Sequence, residues 1–218
     1  MTTFAIIGAG PGLGQAAARR FGREGFSVAL ISRSQDNVDA LAKELADEGI
    51  TARGYAANAR DPQALGAALD AAANDLDPIE VLQYSPKPAK EFMKPELETT
   101  AEDLVGPIEQ SVYGPVTAVQ HVLPGLRELG RGTILFINGG SAVTPSGGVA
   151  GTSVAFAAES AYGQMLHDAL TGEGIHVGQL IIPRGIGGGD ADHEPDALAE
   201  RIWELHQNRG QFRVFVGE

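Results

Sequence analysis

Short apolar runs rich in β-branched residues alternate along the chain with longer Ala- and Leu-rich segments whose apolar positions recur every three or four residues. The short runs predict strands at Thr3–Ile7, Ser27–Ile31, Thr51–Ala56, Val81–Tyr84, Thr133–Asn138, His176–Ile182 and Arg213–Val216. Helical spacing predicts helices over Gly12–Arg23, Gln35–Asp47, Pro62–Asn74, Thr100–Leu129, Val149–Leu170 and Pro195–Asn208. The strands lack a clean apolar/polar alternation, as expected where helices cover both faces of a sheet. Right-handed crossovers then give an α/β fold: one doubly wound, seven-stranded parallel sheet in the order 3-2-1-4-5-6-7, spanning residues 1–218 as a single domain.

Composition narrows the partners. A chain of 218 residues with 43% hydrophobic content buries one substantial core. Its formal charge of −12 repels nucleic acid and anionic membranes, so any phosphate ligand must be held locally. The absence of cysteine excludes disulfides, thiol nucleophiles and thiolate metal sites. The five histidines show no metal spacing; His121 and His167 fall on predicted helices, and His176, His193 and His206 form no triad pattern, so no metal site is expected. No apolar run approaches the roughly 20 residues that cross a bilayer, and "MTTFAIIGAG" lacks the pattern of a secretory leader. A cytoplasmic protein acting on small molecules is the expectation.

The candidate chemistry begins at "FAIIGAGPGLGQAAARRFGREG". An apolar strand runs into Gly8, Gly10, Pro11, Gly12, Leu13 and Gly14, and a helix follows at once. Glycines there permit a tight turn and a close backbone approach to a diphosphate, and the helix N-terminus offers free N–H groups to the anion. At the end of the second strand stand Ser32, Arg33 and Ser34, with no acidic residue among them. Arg33 can pair with a 2′-phosphate, so NADP(H) is expected in preference to NAD(H). Two loops lie where ligands bind in such sheets: Tyr84–Glu98, rich in Pro and Lys, and the Gly-rich segment Pro183–Pro195, read as a flexible cover.

On these residues the chain resembles the short-chain dehydrogenase/reductase family from nearly end to end. Gly8, Gly12 and Gly14 match the family's Gly-rich turn, with Ile7 in place of threonine. The resemblance implies a Rossmann fold, NAD(P) binding, hydride transfer to or from a carbonyl or alcohol, and a homodimer or homotetramer. It places Asn58 at the adenine-binding aspartate, Tyr84 and Ser85 at the two asparagines after the fourth strand, and Pro183 at the proline after the sixth. The family's four active-site residues all differ here. Ser111 stands at the asparagine, Gly139 at the serine with Ser141 two residues beyond, Thr152 at the tyrosine and Phe156 at the lysine.

The family's tyrosine delivers a proton because a lysine one helical turn away stabilises its phenolate. Thr152 and Phe156 keep the spacing and lack the chemistry. Ser141 and Tyr84 are the nearby candidates, with Ser111 and Tyr113 as further hydroxyls. Tyr162 lies about 15 Å further along the helix and reads as a packing residue. Two readings stay open: an NADP(H)-dependent oxidoreductase with nonstandard proton delivery, or a catalytically inactive NADP(H)-binding sensor or regulatory subunit. Phe156 is expected either in a subunit contact or closing the emptied pocket.

Overall fold

A computed structural model describes residues 1–217. Strands β1 (Thr3–Ile7), β2 (Ser27–Ser32), β3 (Ala52–Ala56), β4 (Ile79–Tyr84), β5 (Gly132–Gly139), β6 (Ile175–Ile182) and β7 (Arg213–Phe215) form one sheet. Their order is β3-β2-β1-β4-β5-β6-β7, and each neighbouring pair is parallel. The predicted order is therefore the observed one. Strands β1, β4 and β6 are buried along their whole length, whereas the edge strand β3 is mostly open, as the sequence patterns require.

Helices α1 (Leu13–Arg23), α2 (Gln35–Asp47), α3 (Pro62–Asp75), α4 (Val105–Ile108), α5 (Gly114–Leu129), α6 (Ala150–Leu170) and α7 (Pro195–Gln207) make the connections. One apolar layer joins Leu65, Leu69, Val119, Val122 and Leu126 to the face of the sheet that carries Leu82 and Phe136. The other joins Phe21, Leu41, Leu45, Leu198 and Ile202 to the face that carries Phe4 and Leu30. Local chemistry sets the ends. Ser34 caps α2 by accepting from Asn37 N, and Asp61 caps α3 by accepting from Gln63 N and Ala64 N.

The long helix expected over Thr100–Leu129 is not continuous α-helix. A 3₁₀ turn at Glu102–Leu104 leads into α4, and Glu109–Tyr113 form a π turn before α5 begins. Such an inserted residue re-aims side chains and often marks a functional position. Here it falls around Ser111.

Two neutral histidines close the end of the sheet remote from the loops. His206 is buried beside Phe21 and Trp203, with Nδ1 2.9 Å from Thr133 Oγ1, and His176 is buried on β6. Burial pushes each imidazole down from 6.5 to about 4. A folded-state pKa below the unfolded one means stability is complete above pH 6.5 and is lost as pH falls through 4. Urea unfolding from pH 7 to 4 is expected to be steeper in the wild type than in His206→Gln. Removing one such group takes away up to about 3 kcal/mol of that dependence. Parallel curves would show that His206 titrates normally.

Candidate active site

The order of strands reverses between β1 and β4, and the loops at their C-terminal ends bound a crevice. Gly8, with φ at +91°, lies so close to β4 that a methyl group there would be 2.6 Å from Ser85 C and O and from Pro86 N. Gly14 lies close against Ala9. Gly10 and Gly12 are different: a methyl group on either would meet nothing within 4 Å. The turn therefore packs tightly on the protein side and is open on the other.

Helix α1 starts over this opening with no side-chain cap and no acidic residue in its first turn. Its free N–H groups and dipole present positive potential beside Gly10, Pro11, Gly12 and Leu13. A dinucleotide's diphosphate suits that open cradle.

At the end of β2, Ser32 is half-buried and Arg33 exposed; among the described residues Arg33 has no ion-pair partner. Ser34 spends a lone pair on the α2 cap. Asn58 Oδ1 accepts from Arg60 N at 3.1 Å, which leaves its exposed amide N–H groups available for an adenine. These residues lie along the C-terminal edge of β2 and β3, beside the cradle.

Tyr84 does not line the crevice. Its side chain is fully buried, and its hydroxyl donates to Gln110 O in the π turn. Gly114 makes room for it, since a methyl group there would overlap the phenol oxygen. Burial holds the phenol well above its usual pKa. Tyr84 is thereby removed as a proton donor to the cleft and as a side-chain contact for a cofactor. Ser85, next along, receives Gln83 Nε2 at 2.9 Å and stays half-buried.

On α6, Thr152, Phe156 and Glu159 share the buried face. Phe156 packs with Ala142 and Ile181, bordered by Val143 and Phe215. Its ring is buried within the protomer. The Thr152 hydroxyl is buried without a hydrogen-bond partner, and Gly139 has only Ile182 O and the Phe156 ring near, both at 3.9 Å from a methyl group placed there. Ser141, Thr144, Ser146, Ile181, Pro183 and Phe215 line a cleft of about 450 Å³ at the ends of β5 to β7, and among the described residues no charged side chain lines it. Ser153 anchors its rim, accepting from Ser146 N at 3.0 Å and donating to Ser146 O at 2.9 Å.

Two polar residues escaped the sequence reading. Glu159 is buried in α6 at 1% exposure, and Asn138 Nδ2 on β5 donates to its Oε1 at 3.1 Å. Burial pushes this carboxyl up to about 8, with Asn138 and the Ser111 hydroxyl acting in the opposite sense. From Asn138 the network continues to Gln179 on β6 at 2.8 Å, then to Ser160 and Arg213. The available signal was spacing: Glu159 follows Thr152 and Phe156 at i+7 and i+3 on an otherwise Ala- and Ser-rich helix.

The segment after Pro183 carries its own contacts. Arg184 pairs with Asp190 at 2.9 Å, Glu194 accepts from Gly189 N at 2.8 Å, and His193 is buried beneath, 3.2 Å from Asp190. Asp190 and Glu194 thus organise the loop. Tyr162 is half-buried and edge-on to Phe136, the packing role expected of it. Among the described residues, no helix is long and apolar enough to cross a membrane.

A doubly wound sheet with an open glycine cradle at its reversal point defines a dinucleotide-binding Rossmann domain. Residues 2–187 match the family described as short chain dehydrogenase, and the chain belongs to that family. It is similar to serine 3-dehydrogenase of Agrobacterium fabrum, 30% identical over 177 residues, covering 80% of this chain and 68% of that one. A sulfoacetaldehyde reductase of Chromohalobacter salexigens is 29% identical over 182 residues, covering 79% and 68%. Among solved structures, a short-chain dehydrogenase from Rhodopseudomonas palustris superposes with a TM-score of 0.88 at 25% identity, covering 100% of this chain and 98% of that one. An NADPH-bound short chain oxidoreductase from Pseudomonas aeruginosa, described as containing an atypical catalytic center, shares the fold with a TM-score of 0.89 at 17% identity, covering 99% and 95%.

The two kinds of glycine give opposite expectations. Gly8→Ala places a Cβ against backbone at a left-handed φ and is expected to lose about 1–3 kcal/mol or more in urea unfolding. Gly10→Ala, facing open space, is expected to stay within about 1 kcal/mol of the wild type. Equal effects would refute the assignment of a packed side and an open side to the turn.

Proposed function

We propose that the protein is an NADP(H)-dependent oxidoreductase acting on a small, neutral carbonyl or alcohol, with proton delivery unlike the family's usual one. The observation that carries this reading is the uncapped start of α1 over the open glycines, with the unpaired Arg33 guanidinium at the end of β2. Gly10, Gly12 and the α1 N–H groups hold the diphosphate; Arg33 holds the 2′-phosphate; Ser32, Ser34 and Asn58 border the adenosine. Gly8 and Gly14 shape the turn, and the backbone at Ser85 and Pro183 borders the nicotinamide end. When bound, the reduced nicotinamide supplies a hydride.

The cleft beyond it favours an uncharged substrate. Ser141, Thr144 and Ser146 line it together with Ile181 and Phe215, and among the described residues no cation lines it to neutralise a carboxylate or phosphate. The segment Pro183–Pro195 is the cover we assign to it. Phe156, Thr152 and Gly139 provide neither acid nor base, which favours a second reading: a protein that binds NADP(H) without turnover, as a sensor or regulatory subunit.

We also infer a homo-oligomer formed through α6. Val154, Ala157, Ala161 and Met165 repeat at helical spacing on its exposed side and form an uncovered apolar stripe. A monomer by light scattering at micromolar concentration would remove this inference.

Calorimetric titration separates the nucleotide readings. NADPH is expected to bind at least tenfold more tightly than NADH, and Arg33→Ala is expected to abolish that difference, since one charge-assisted phosphate contact is worth roughly 1.5–3 kcal/mol. Tighter NADH binding would refute the role of Arg33. NADPH oxidation with a panel of neutral aldehydes and ketones then decides between the enzyme and the sensor.

A further inference from the structure

In the function proposed above, selectivity for a 2′-phosphate rests on Arg33, whose exposed side chain has no ion-pair partner among the described residues. An arginine on a loose turn gives up backbone and side-chain freedom when it meets a phosphate, and that cost weakens the contact. The residues on either side of Arg33 therefore decide how well it is presented. Before it, Ser32 O accepts from Ala57 N at 2.8 Å, which ties the end of β2 to the chain leaving β3. After it, Ser34 Oγ accepts from Asn37 N at 3.3 Å, a bond internal to the start of α2 that does not reach the sheet. The tie to the sheet on this side comes from the next residue, Gln35.

Gln35 is the first residue of α2, and its carboxamide lies on the outer edge of β3. Nε2 donates to Gly54 O at 3.1 Å, and Oε1 accepts from Ala56 N at 2.9 Å. An edge strand leaves such groups unpaired, and β3 has its ladder with β2 on the other side. Bonding to a carbonyl and to the N–H two residues later copies the pair of bonds that one residue of a further parallel strand would make. Asp39 Oδ1, one helical turn on, accepts from the same Nε2 at 2.7 Å, so the amide nitrogen faces Gly54 and the oxygen faces Ala56. Gly54 permits the approach: a methyl group there would lie 2.6 to 2.8 Å from Val38 of α2.

We propose that Gln35 is a positioning residue for recognition of the 2′-phosphate of NADP(H). By closing the edge of β3 it anchors the Ser32–Gln35 turn at its second end, so that Arg33 stands between two fixed neighbours and meets the phosphate already ordered. Gln35 acts through Arg33 and through the backbone; both of its amide protons are taken by Gly54 O and Asp39. The role of Gln35 rests on the reading of Arg33 given above.

The rest of the nucleotide site is anchored without Gln35. Asn58 is fixed by its own turn, its Oδ1 accepting from Arg60 N at 3.1 Å and its carbonyl from Asp61 N at 2.9 Å. The glycine cradle is fixed by the packing of Gly8 on Ser85 and Pro86. Loss of the Gln35 bonds therefore frees the turn that carries Arg33 and leaves the other two parts standing. The consequence falls on the 2′-phosphate, and NADH, which has none, is spared. Since Gln35 is neutral, a neutral replacement alters no charge near the phosphate.

Gln35→Met keeps the length and charge of the side chain and removes both bonding groups. Calorimetric titration is expected to show NADPH bound about three- to tenfold more weakly, the worth of one exposed hydrogen bond, with NADH within about twofold of the wild type. In an Arg33→Ala background the same substitution is expected to leave NADPH affinity unchanged, the coupling required of a residue that acts through Arg33. Amide hydrogen exchange without nucleotide gives a second readout. The Ala56 N–H is expected to be protected in the wild type, although it faces outward from an edge strand, and to exchange about tenfold faster in Gln35→Met. Unchanged NADPH binding, equal weakening of both nucleotides, or an effect that persists in Arg33→Ala overturns the role of Gln35 while leaving that of Arg33 intact. Free exchange of the Ala56 amide in the wild type overturns it as well, whether or not the variant folds. A wild type that does not prefer NADPH overturns the reading of Arg33 and the role of Gln35 together.

Discussion

The approach of Gly8 to the end of β4 is the constraint from which the site follows. Gly8 N donates to Ile31 O at 2.9 Å, and Ser85 N donates to Ile7 O at 2.9 Å, so three strand ends are tied at one point. A side chain at Gly8 would stand inside the backbone of Ser85 and Pro86. Without that contact β1 and β4 cannot pair to their C-terminal ends, and the turn loses the wall that supports it. With it, Gly10 and Gly12 are left facing outward, and α1 begins uncapped at the place where the sheet order reverses. The anion cradle is a consequence of how two strands are packed, with no side chain devoted to it.

This economy suits a chain of net charge −12. A phosphate approaching it meets an unfavourable field at long range, where salt screens much of the interaction. The cradle acts at contact distance, through oriented N–H groups whose partial charges need no counterion. Arg33 adds one full charge at the edge. In the reading proposed above, selectivity for a nucleotide comes from geometry within a few ångströms rather than from the long-range field.

The sequence made the sheet legible because each strand carries its own signal: apolar runs buried on both faces, punctuated by helices with intact periodicity. Ser27–Ile31 fell one residue short at its end, and Thr133–Asn138 one residue short at each end. The glycine cradle was legible too, since its requirement is local. What escaped depends on contacts between distant segments. The π turn at Glu109–Tyr113 has ordinary helical composition; what accompanies it is a hydroxyl from β4, 26 positions earlier, satisfying Gln110 O. Tyr84 looked like a loop residue because it precedes Ser85 and Pro86, yet the space opened by Gly114 draws it inward. Glu159 carries no local sign of burial in an Ala- and Ser-rich helix; its hydrogen bond comes from Asn138 on β5, 21 positions earlier.

Taken together, the substitutions on α6 describe a redistribution of polarity rather than a simple loss. The Phe156 ring sits among Ala142 and Ile181 and agrees with that apolar lining. The polar groups lie instead one turn further along, as a connected chain from Glu159 through Asn138 and Gln179 to Ser160 and Arg213. A degenerate pocket that had only lost its function would be expected to fill with hydrocarbon, because an ionisable group buried without a cation costs several kcal/mol when charged. Retaining a carboxyl there is tolerable because its links are hydrogen bonds and the acid can stay neutral. The same burial that encloses the Phe156 ring favours the neutral form of Glu159, and a single low-dielectric helix face imposes both.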